Sequence, residues 1–533
     1  MLEDVLFDTL ITNGTIVDGT GNVGYKGHVG IIGDLMRVFT GDASQIQAHN
    51  KIDASHLTVA PGFIDAHTHS GLIALEDPRN EPKLRQGVTT EIIGVDGLGY
   101  APLSRENLEL MLLRNAGLDG YPNITYDWSS IPEYLSRFRQ KTSANVAYLL
   151  PNSCLRVETT GWTNRKATRT ELVKMKEMIR QAMAEGAIGM STGLQYPPGS
   201  YADTDELVQL CEVVAECGGI HVTHVRYDLG DRMWDPFKEA VVIGRRSGCP
   251  IHISHFFATI PLRGKASDML QFVDEARREG VDLTFDSYPW PAGSTMLDIV
   301  CPQEDYSGGP QELLARLRNP TDRRRMRDQS THLVGQKGAM VISAVRTDSN
   351  KWCEGLTVQQ VSDRLGKDPW DTVCDLLVDE ELAVAFYSFS GDMTDVQVIV
   401  RHPSHMFCSD ALRIGGHPNP RTYATYPRIL GQLVRDDAVL TMEQAIRKMT
   451  SFPAQRFGLS DRGLLRDGMK ADIVVFDPFT VSGVATFENP CQYPLGIEYV
   501  FVNGELVVHG YEHTGTLAGQ PLSRVNARAG QAG

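Results

Sequence analysis

A repeat of short apolar runs and longer amphipathic stretches occupies the middle of the chain and restricts its fold most strongly. The run "NVAYLLP" precedes "TRTELVKMKEMIRQAMAEG", and "AIGMST" and "GIHVTHV" stand on either side of "DTDELVQLCEVVAECG". The short runs have the length of buried strands, and the longer stretches have apolar residues at helical spacing and end at glycine. Strands that alternate with helices predict a parallel sheet, either open or closed into a (β/α)8 barrel.

The two ends of the chain share a different pattern, in which Asn-Gly stands between short β-branched runs. It occurs in "DTLITNGTIVDGTG" near the start and in "EYVFVNGELVVHGY" near the end. Asn-Gly favours the tight turn of a β-hairpin, and chain termini commonly lie close together. We therefore expect residues 1–58 and 463–533 to form one small β-sandwich, with the barrel at residues 59–462.

The rhythm of strands and helices is interrupted between residues 296 and 350. This segment is too long for an ordinary barrel loop and predicts an inserted, partly helical subdomain or lid. Its basic run "RNPTDRRRMRD" is typical of a solvated helix face in an acidic chain. The alternative is a mobile lid whose arginines attract anionic substrates. Near Phe386 the rhythm resumes.

Composition narrows the partners and the compartment. The formal net charge of −15 over 533 residues argues against nucleic acid, which requires a basic surface. The nine cysteines include no Cys-x-x-Cys pair and are expected to be reduced thiols. The first residues carry acids where a signal peptide requires positive charge, and no apolar run approaches the roughly 18 residues of a membrane helix. We expect a cytoplasmic protein with a small-molecule partner and no membrane partner; a homo-oligomer stays open.

Polar residues recur at the carboxyl ends of the predicted strands. His67 and His69 follow "VAPGFID" and are two residues apart, so both side chains can point to one face of a strand. Asp96 follows "VTTEIIGV", and Asp410 follows "SHMFCS". Because strand ends converge on one mouth of a (β/α)8 barrel, these residues can meet in one site. The predicted metal ligands are His67, His69, Asp96, His224, His255 and Asp410.

Imidazole and carboxylate ligands without a pair of thiolates suit zinc or a similar divalent ion. Six ligands are too many for one catalytic zinc, which keeps an open position, so two metals that share a bridge fit better. Such a pair lowers the pKa of a bridging water and polarises the carbonyl that the water attacks. Asp65 is expected to support the two histidines from just before them. His221, His252 and His405 each precede a stronger candidate and are predicted to be core histidines.

Several motifs resemble those of a known family. The motif "PGFIDAHTH" resembles the strand-one signature of the amidohydrolase superfamily. The motifs "GAIGMSTGLQYPPGSYADTDEL", "DSYPWPAGST" and "HPNPRTYATYPRILG" resemble N-acyl-D-amino-acid deacylases, also called D-aminoacylases. The resemblance covers most of the chain, from Leu10 to Gly510. It implies a distorted (β/α)8 barrel, a β-sandwich built from both termini, and hydrolysis of a carbon–nitrogen amide bond.

The resemblance also implies roles for single residues. His67, His69 and Asp410 would hold the more exposed metal, and His224 and His255 the other. Asp410 would also take a proton from the attacking water and deliver it to the leaving nitrogen, as a general base that becomes a general acid. By the same match, the residues that bind substrate include Tyr288 and Ser294, which line the pocket, and Arg421, whose guanidinium suits a substrate carboxylate.

The loop that carries Asp96 departs from the family pattern. Deacylases have Gly-Asn-Cys-Gly where this chain has "GVDG", so a carboxylate replaces the metal-binding cysteine. A carboxylate can bind or bridge divalent ions, but it is a harder ligand than thiolate and could admit manganese. The alternative is that Asp96 only caps the loop before Leu98. No lysine stands at a strand end from which it could replace the cysteine as a carbamylated bridge.

The predicted substrate pocket departs from the pattern as well. Phe256 and Phe257 stand where the family commonly has a lysine, and only one of two adjacent side chains can face a pocket; we expect Phe257. Asn152, in "PNSCLR", stands where the family commonly has a histidine and is a further candidate for substrate contact. Trp290 is expected near the pocket because it follows Tyr288 by two residues. Compared with the family pattern, the predicted pocket therefore has one cation fewer and more aromatic surface.

Three hypotheses about function follow. The first is a metal-dependent amidohydrolase that acts on an N-acyl-D-amino acid or a D-configured dipeptide through an activated hydroxide, with zinc as the expected metal, in one or two ions. The second keeps the metal site and changes the substrate to a cyclic amide, an imide or another uncharged carboxamide, because the cysteine and the lysine are lost. The third is a catalytically silent scaffold, which should have lost metal ligands.

Overall fold

The structure is a computed structural model that describes residues 5–227, 232–336 and 339–524. Eight parallel strands form one sheet in which the order of the strands follows the order of the chain. Every residue of these strands is buried, as expected when helices cover a parallel sheet. This nearly closed, TIM-like barrel confirms the predicted fold class. Barrel strands 1 to 8 are Phe63–Asp65, Val88–Ile93, Asn145–Pro151, Gly189–Gly193, His221–His224, Ile251–Ile253, Leu283–Ser287 and His405–Phe407.

The helices around the barrel begin and end at the residue types that the sequence supplies. Thr168 and Glu171 form a reciprocal capping box at the start of one helix, and Gly248 ends another in the left-handed conformation. The helices outside the insert are Ile73–Glu76, Glu81–Leu84, Arg105–Arg114, Ala116–Asp119, Ile131–Ser136, Asn152–Val157, Arg169–Ala184, Thr204–Glu216, Asp235–Ser247, Ala266–Arg278, Met393–Val400, Arg421–Arg428, Met442–Met449 and Ser451–Phe457. Among the described residues, no helix is long and apolar enough to cross a membrane.

The barrel closes between strands 8 and 1 only beyond their carboxyl ends. No ladder joins these two strands in the described sheet. Instead, the amide of Asp410 donates to the carbonyl of His67 at 2.9 Å, and the amide of His69 donates to the carbonyl of Ala411 at 3.2 Å. The seam of the barrel therefore lies between residues that the sequence predicts to be metal ligands.

A second sheet of nine strands joins the two ends of the chain. Strand Thr58–Pro61 pairs with Ile473–Phe476, so the boundary with the barrel falls at Gly62, three residues later than the sequence placed it. Residues 1–4 and 525–533 of the expected β-sandwich lie outside the described residues. The strands are Leu6–Ile16, Tyr25–Ile32, Leu35–Phe39, Gln47–Asp53, Thr58–Pro61, Ile473–Phe476, Ile497–Val502, Glu505–His509 and Glu512–His513, while Pro521–Leu522 pairs with barrel strand 3.

The two Asn-Gly pairs of this sheet have different structures. Asn503 and Gly504 both have positive φ and connect two antiparallel strands as a hairpin turn, which was the expectation. Asn13, also at positive φ, lies inside one continuous strand, where the register shifts between Ile11 and Gly14. The hairpin predicted at Asn13 is thus wrong. The positive φ of Asn13 serves a β-bulge within one strand instead of a turn between two strands.

The segment between barrel strands 7 and 8 forms a separate subdomain. Its three antiparallel strands are Gly293–Met296, Met340–Val345 and Val384–Ser388, with Val384–Ser388 in the centre. The subdomain is thus longer than the insert expected at residues 296–350, because its central strand comes last, and Phe386 belongs to it rather than to the resumed barrel. Its helices are Pro310–Arg318, Pro320–Gln336, Val358–Leu365 and Pro369–Asp379.

The basic run of the insert lies on helix Pro320–Gln336 and pairs with acids of the same subdomain. Arg323 lies 2.7 Å from Asp375, and Arg325 is paired with Asp305. These arginines therefore connect helices of the insert. The sequence suggested only that they lie on a solvated helix face.

Candidate metal centre

The six predicted ligands meet at the carboxyl ends of the barrel strands. His67 and His69 follow strand 1, Asp96 follows strand 2, and His224 ends strand 5. His255 follows strand 6 and Asp410 follows strand 8. All six are buried, the most accessible being His69 at 8%. Residues separated by more than 300 positions thus share one site.

Two overlapping groups of three side chains could each hold a metal ion, with ligand atoms within 4.8 Å of one another. In the first group, which we call the seam group, the Nε2 atoms of His67 and His69 lie 3.6 and 3.4 Å from Oδ1 of Asp410. The second group consists of His67, Asp96 and His255. His67 belongs to both groups, so the site can be regarded as one continuous centre.

The carboxylate of Asp96 lies between the histidines. Its Oδ2 is 3.5 Å from Nε2 of His67 and 3.7 Å from Nδ1 of His224, and its Oδ1 is 3.6 Å from Nε2 of His255. The amide of Leu98 donates to the carbonyl of Val95 at 3.0 Å. The backbone thus supplies its own partner in this turn, and Asp96 faces the histidines.

Gln195 orients His224. The Nε2 atom of His224 lies 2.6 Å from the amide oxygen of Gln195, an acceptor, while Nδ1 faces Asp96 and lies 3.0 Å from Nε2 of His255. An Nε2–H that donates to Gln195 leaves the Nδ1 lone pair directed at the centre. A hydrogen bond to the remote nitrogen is the usual way in which a metal-binding imidazole is held in one tautomer.

The chemistry of the donor set fits a divalent cation. Both ring nitrogens of His67 and Oδ1 of Asp96 are buried and have no hydrogen-bond partner among the described residues. A buried polar atom without a partner costs about 1–3 kcal/mol, so a cluster of them is costly unless something else satisfies their lone pairs. Imidazole and carboxylate atoms in this arrangement suit zinc and similar ions.

The backbone is strained at three of the predicted ligands. Asp96, His255 and Asp410 have φ values of 55°, 35° and 48°, in the left-handed region that side chains avoid. Such conformations cost about 1–3 kcal/mol each and persist only where the surroundings enforce them. Gly193 of strand 4 provides one such enforcement, since a Cβ atom there would lie 1.9 Å from the carbonyl oxygen of Asp96.

A cavity of about 110 Å³ opens in front of the centre. Three of the predicted substrate residues line it: Phe257, Tyr288 and Ser294. Ser294 and Phe386 come from the insert, so the pocket forms between the barrel and the inserted subdomain.

Comparison with known proteins decides the family. Residues 51–508 match the profile of the amidohydrolase family. The chain belongs to this family. It is 36% identical to D-aminoacylase of Alcaligenes xylosoxydans xylosoxydans over 98% of both chains, and 33% identical to N-acyl-D-aspartate deacylase of the same organism over 95% of this chain and 93% of the other.

Solved structures agree with the sequence comparison. A D-aminoacylase with a binuclear metal centre superposes with a TM-score of 0.82 at 33% identity, covering 97% of this chain and all of the other. N-acyl-D-glutamate deacylase of Bordetella bronchiseptica, complexed with zinc and a phosphonate inhibitor, gives 0.83 at 30% identity, covering 98% and 100%. This amidohydrolase is therefore a metal-dependent enzyme that hydrolyses a carbon–nitrogen bond other than a peptide bond, as predicted.

The charges of the amidohydrolase centre are strongly coupled. Burial by itself would lower the pKa of His67, but Asp96 and Asp410 raise it to about 9. Burial opposes ionisation of Asp410 as well, yet Arg421, 3.0 Å from its Oδ2, and the neighbouring imidazoles hold the pKa of that carboxyl well below its usual value. Asp410 is consequently an ionised carboxylate in this arrangement.

Three predicted substrate residues lie outside the lining of the cavity. Arg421 is fully buried behind Tyr288, with its guanidinium 4.4 Å from the ring centroid. Trp290 donates to the hydroxyl of Thr425 at 3.3 Å, away from the cavity. Asn152 lies below the Asp96 loop and donates to the carbonyl of Gly199 at 3.2 Å. Neither the match of Arg421 and Asn152 to family motifs nor the proximity of Trp290 to Tyr288 in sequence placed these side chains in the wall.

Other residues of the site escaped the sequence analysis. Gln195 and Tyr196 line the cavity and stand in "STGLQYPPGS", a motif that pointed to the family without indicating which of its side chains face the metal centre. Asp286, at the end of strand 7, accepts hydrogen bonds from the amide of His255 at 2.6 Å and from Nε2 of His252 at 2.8 Å. It thereby supports the strained backbone of a ligand.

The three histidines expected in the core are fully buried. His221 contacts the hydroxyl of Thr192 at 2.9 Å, and His405 contacts that of Ser287 at 2.9 Å. His252 lies against Asp286, as described above. None of the three belongs to the metal groups found among the described residues.

Proposed function

We propose that this amidohydrolase removes the acyl group from N-acyl-D-amino acids with a neutral side chain, and that the metal is zinc. The proposal depends chiefly on one observation. The seam group and the second group, which consists of His67, Asp96 and His255, lie side by side at the base of a cavity, in a chain that matches D-aminoacylase over 98% of its length. Zinc is supported by the imidazole and carboxylate donors and by the zinc complex of the related D-glutamate deacylase.

Bound metal would supply electrostatic polarisation of the substrate carbonyl and would lower the pKa of the attacking water. His67, His69, Asp96, His224, His255 and Asp410 would hold it. Asp410 takes the proton of the water and delivers it to the leaving nitrogen, a transfer typically worth about 10²- to 10⁴-fold in rate. Arg421 stabilises the ionised form of Asp410 before the transfer.

The walls of the cavity favour a neutral side chain on the substrate. Phe257, Ile260, Pro261, Ile299 and Phe386 contribute apolar surface. In the described part of the chain, no lysine or arginine lines the cavity. An acidic substrate side chain would lose its hydration without meeting a cation, which is costly. We therefore place the substrate nearer to that of D-aminoacylase than to those of the D-aspartate and D-glutamate deacylases.

The α-carboxylate of the substrate requires a partner of its own. We propose that the hydroxyl of Tyr288, on the cavity wall, holds it, with the charge of Arg421 directly behind Tyr288. The hydroxyl of Ser294, on the same wall, donates to the carbonyl of Phe386 at 2.9 Å and would have to rotate to reach the substrate. Phe257 then packs against the aliphatic part of the substrate, in the place where a second cation would otherwise stand.

A substrate panel tests the proposal. The zinc-loaded enzyme should release amine from N-acetyl-D-leucine and N-acetyl-D-methionine faster than from N-acetyl-D-glutamate, and it should not act on the L-enantiomers. Release measured with an amine reagent gives kcat/KM for each compound. A preference for N-acetyl-D-glutamate would overturn the neutral side chain, and inactivity on every N-acyl-D-amino acid would overturn the proposed substrate class.

A second candidate substrate is a cyclic or uncharged amide. The observation that favours it is the position of Arg421, which is fully buried and 3.0 Å from Asp410 instead of lining the cavity. Dihydrouracil in the same panel separates the two candidates. The opening of its ring can be monitored as a loss of ultraviolet absorbance. Turnover of dihydrouracil without turnover of N-acetyl-D-leucine would establish the second candidate and exclude the first.

We further propose that the enzyme works in the cytoplasm. All of its cysteines are free thiols, and eight of the nine lie at buried or partly buried positions. Free thiols in this number suit a reducing compartment.

A further inference from the structure

Lys83 lies in a fully buried ionic network next to the metal centre. It belongs to the short helix Glu81–Leu84, and its side chain has no solvent exposure. Its Nζ atom is 2.5 Å from Oδ2 of Asp65 and 2.5 Å from Oγ of Ser409. Oε1 of Glu91 lies 3.8 Å away. We call Lys83, Asp65, Glu91 and Ser409 the Lys83 network.

The network touches the chain on each side of the seam group. Asp65 precedes His67 by two residues, and Ser409 directly precedes Asp410. Ser70 directly follows His69 and donates its hydroxyl to Oε1 of Glu91 at 2.8 Å. Each of the three ligands in this group therefore has a neighbour, at most two residues away, that is bonded into the network.

The network also replaces the missing ladder at the barrel seam. Strands 1 and 8 have no ladder between them, but Oδ1 of Asp65 accepts the amide of Ser409 at 2.9 Å and the amide of His67 at 3.4 Å. The carboxylate thus acts as the acceptor that a neighbouring strand would provide. Lys83 holds the other oxygen of Asp65 and so determines how the carboxylate is oriented.

Buried charges are an expensive way to close a barrel. Apolar side chains of similar volume are often as stabilising as a buried ion pair or more so, whereas the geometry of charged hydrogen bonds is specific. The second oxygen of Glu91 accepts from Asn80 at 2.6 Å, so both acids of the network are fully engaged. The network is better explained by the orientation that it imposes than by stability.

We propose that Lys83 is a positioning residue, which acts through Asp65 and Ser409 to set the separation between His67, His69 and Asp410 and hence the metal affinity of the seam group. This inference rests on the metal centre of the proposed function. In the described part of the chain, no hydrogen bond joins the network to His224 or His255. The effect should therefore be confined to one half of the centre.

Cobalt binding to the purified full-length protein tests the inference. The metal-free wild type, Lys83→Met and Lys448→Met are titrated with Co²⁺, and the visible bands of the bound ion are recorded. Lys448 is a matched control: it is also a buried lysine, and it donates to the carbonyl of His405 at 3.0 Å, at the start of strand 8, without touching a neighbour of a ligand. Lys83→Met should raise the dissociation constant of the ion in the seam group about 10- to 100-fold and alter its bands, as is usual for residues that orient ligands.

Ser409→Ala tests the positioning role of the Lys83 network if Lys83→Met does not fold, as judged by circular dichroism. It removes one hydroxyl and leaves the Asp65–Lys83 pair in place, and it should weaken the same ion about 10-fold. Lys448→Met should bind both ions as the wild type does. Wild-type binding with unchanged constants and bands in the folded variants would overturn the inference alone. A wild type that retains no Co²⁺ would overturn the proposed centre and the inference with it.

Discussion

Asp96 is the residue at which this centre departs most from the deacylase pattern. Its carboxylate oxygens lie 3.5 to 3.7 Å from ring nitrogens of four histidines. A single sulfur atom could approach all four rings only from a central position. Two oxygens allow it to face His67 with one atom and His255 with the other. The replacement of cysteine is therefore compatible with a shared ligand, although it exchanges a soft donor for a hard one.

Replacement of Asp96 distinguishes a metal ligand from a loop residue. Asp96→Ala should lower Zn²⁺ affinity by more than about 100-fold, because a ligand is lost and not merely a neighbour of one. Asp96→Cys should retain metal and, in the Co²⁺ form, gain a thiolate-to-metal charge-transfer band in the near ultraviolet. Unchanged metal affinity of Asp96→Ala would instead support the alternative that Asp96 only organises the turn before Leu98.

Asp119 gives a prediction about pH. It is buried beside Tyr100, whose hydroxyl donates to its Oδ2 at 2.5 Å, and its Oδ1 has no partner. Burial raises the pKa of this carboxyl to about 6, from 3.8 in the unfolded chain. The folded protein therefore holds the proton more tightly, and stability falls as the pH rises from 3.8 to 6.

Asp119→Asn should remove this pH dependence and raise the free energy of unfolding at pH 8 by about 3 kcal/mol, since one pKa unit corresponds to about 1.4 kcal/mol. Urea unfolding of the metal-free protein between pH 4 and pH 8 measures the free energy of unfolding and its dependence on pH. Glu106→Gln, a change at an exposed position of a neighbouring helix, is the control and should follow the wild type. A variant as sensitive to pH as the wild type would contradict the assignment to Asp119.

At the scale of elements, the position of the Asp96 loop depends on the strand beside it. Gly97 at the end of this loop has a φ of 63°, and Gly193 of strand 4 leaves room for the Asp96 carbonyl. The hydroxyl of Ser191 on the same strand accepts the amide of Gly97 at 3.1 Å. Strand 4 carries none of the predicted metal ligands, yet it holds the loop of one of them, Asp96, in place.

Gly193→Ala tests this dependence. The added Cβ would meet backbone atoms of Asp96, which cannot move away as a side chain could, so the loop must shift. We expect metal affinity to fall by about 10-fold or more, as for a lost positioning contact, with native circular dichroism retained. Gly218 has a φ of 73°, so Gly218→Ala strains the backbone locally, but the added Cβ meets no described atom within 4 Å and metal affinity should not change. Equal affinities in both variants would show that the loop tolerates the shift.

At the scale of the whole molecule, the barrel and the insert are joined by buried charges. Arg114, at the end of a barrel helix, lies 3.0 Å from Asp298 of the insert, and both side chains are almost fully buried. Its guanidinium also lies 4.6 Å from the ring centroid of Tyr306. Since the insert supplies Ser294 and Phe386 to the cavity, this contact helps to determine the shape of the pocket.

Arg114→Met should destabilise the protein by about 3–5 kcal/mol, because it leaves the carboxylate of Asp298 buried without its partner. Arg105→Met on the same helix is the control: Arg105 and Glu109 form an exposed pair at 3.0 Å, and exposed pairs contribute at most about 1 kcal/mol. Chemical unfolding measures both. Equal losses in the two variants would mean that the buried pair contributes no more than the exposed one.

The meeting of the six predicted ligands at one mouth could be predicted because it depends on order along the chain. In a parallel barrel every strand ends at the same mouth, so a histidine or an acid that follows an apolar run is placed there by topology alone. His67, His69, Asp96, His224, His255 and Asp410 are all of this kind. The substrate pocket was predicted less well: Trp290 follows Tyr288 by two residues but turns toward Thr425, and Asn152, which matched a family motif, turns toward Gly199.

The sequence by itself determined the alternation of strands and helices and the residues that end the strands, since these follow from local periodicity. Periodicity left the parallel sheet open or closed, and the resemblance to a known family implied the barrel. Only the tertiary structure decided that Lys83 joins Asp65 to Ser409, that Gln195 orients His224, and that Arg421 lies behind the cavity wall. Such contacts join residues that are up to hundreds of positions apart, and their geometry depends on how whole elements pack. No local pattern of residues encodes that packing.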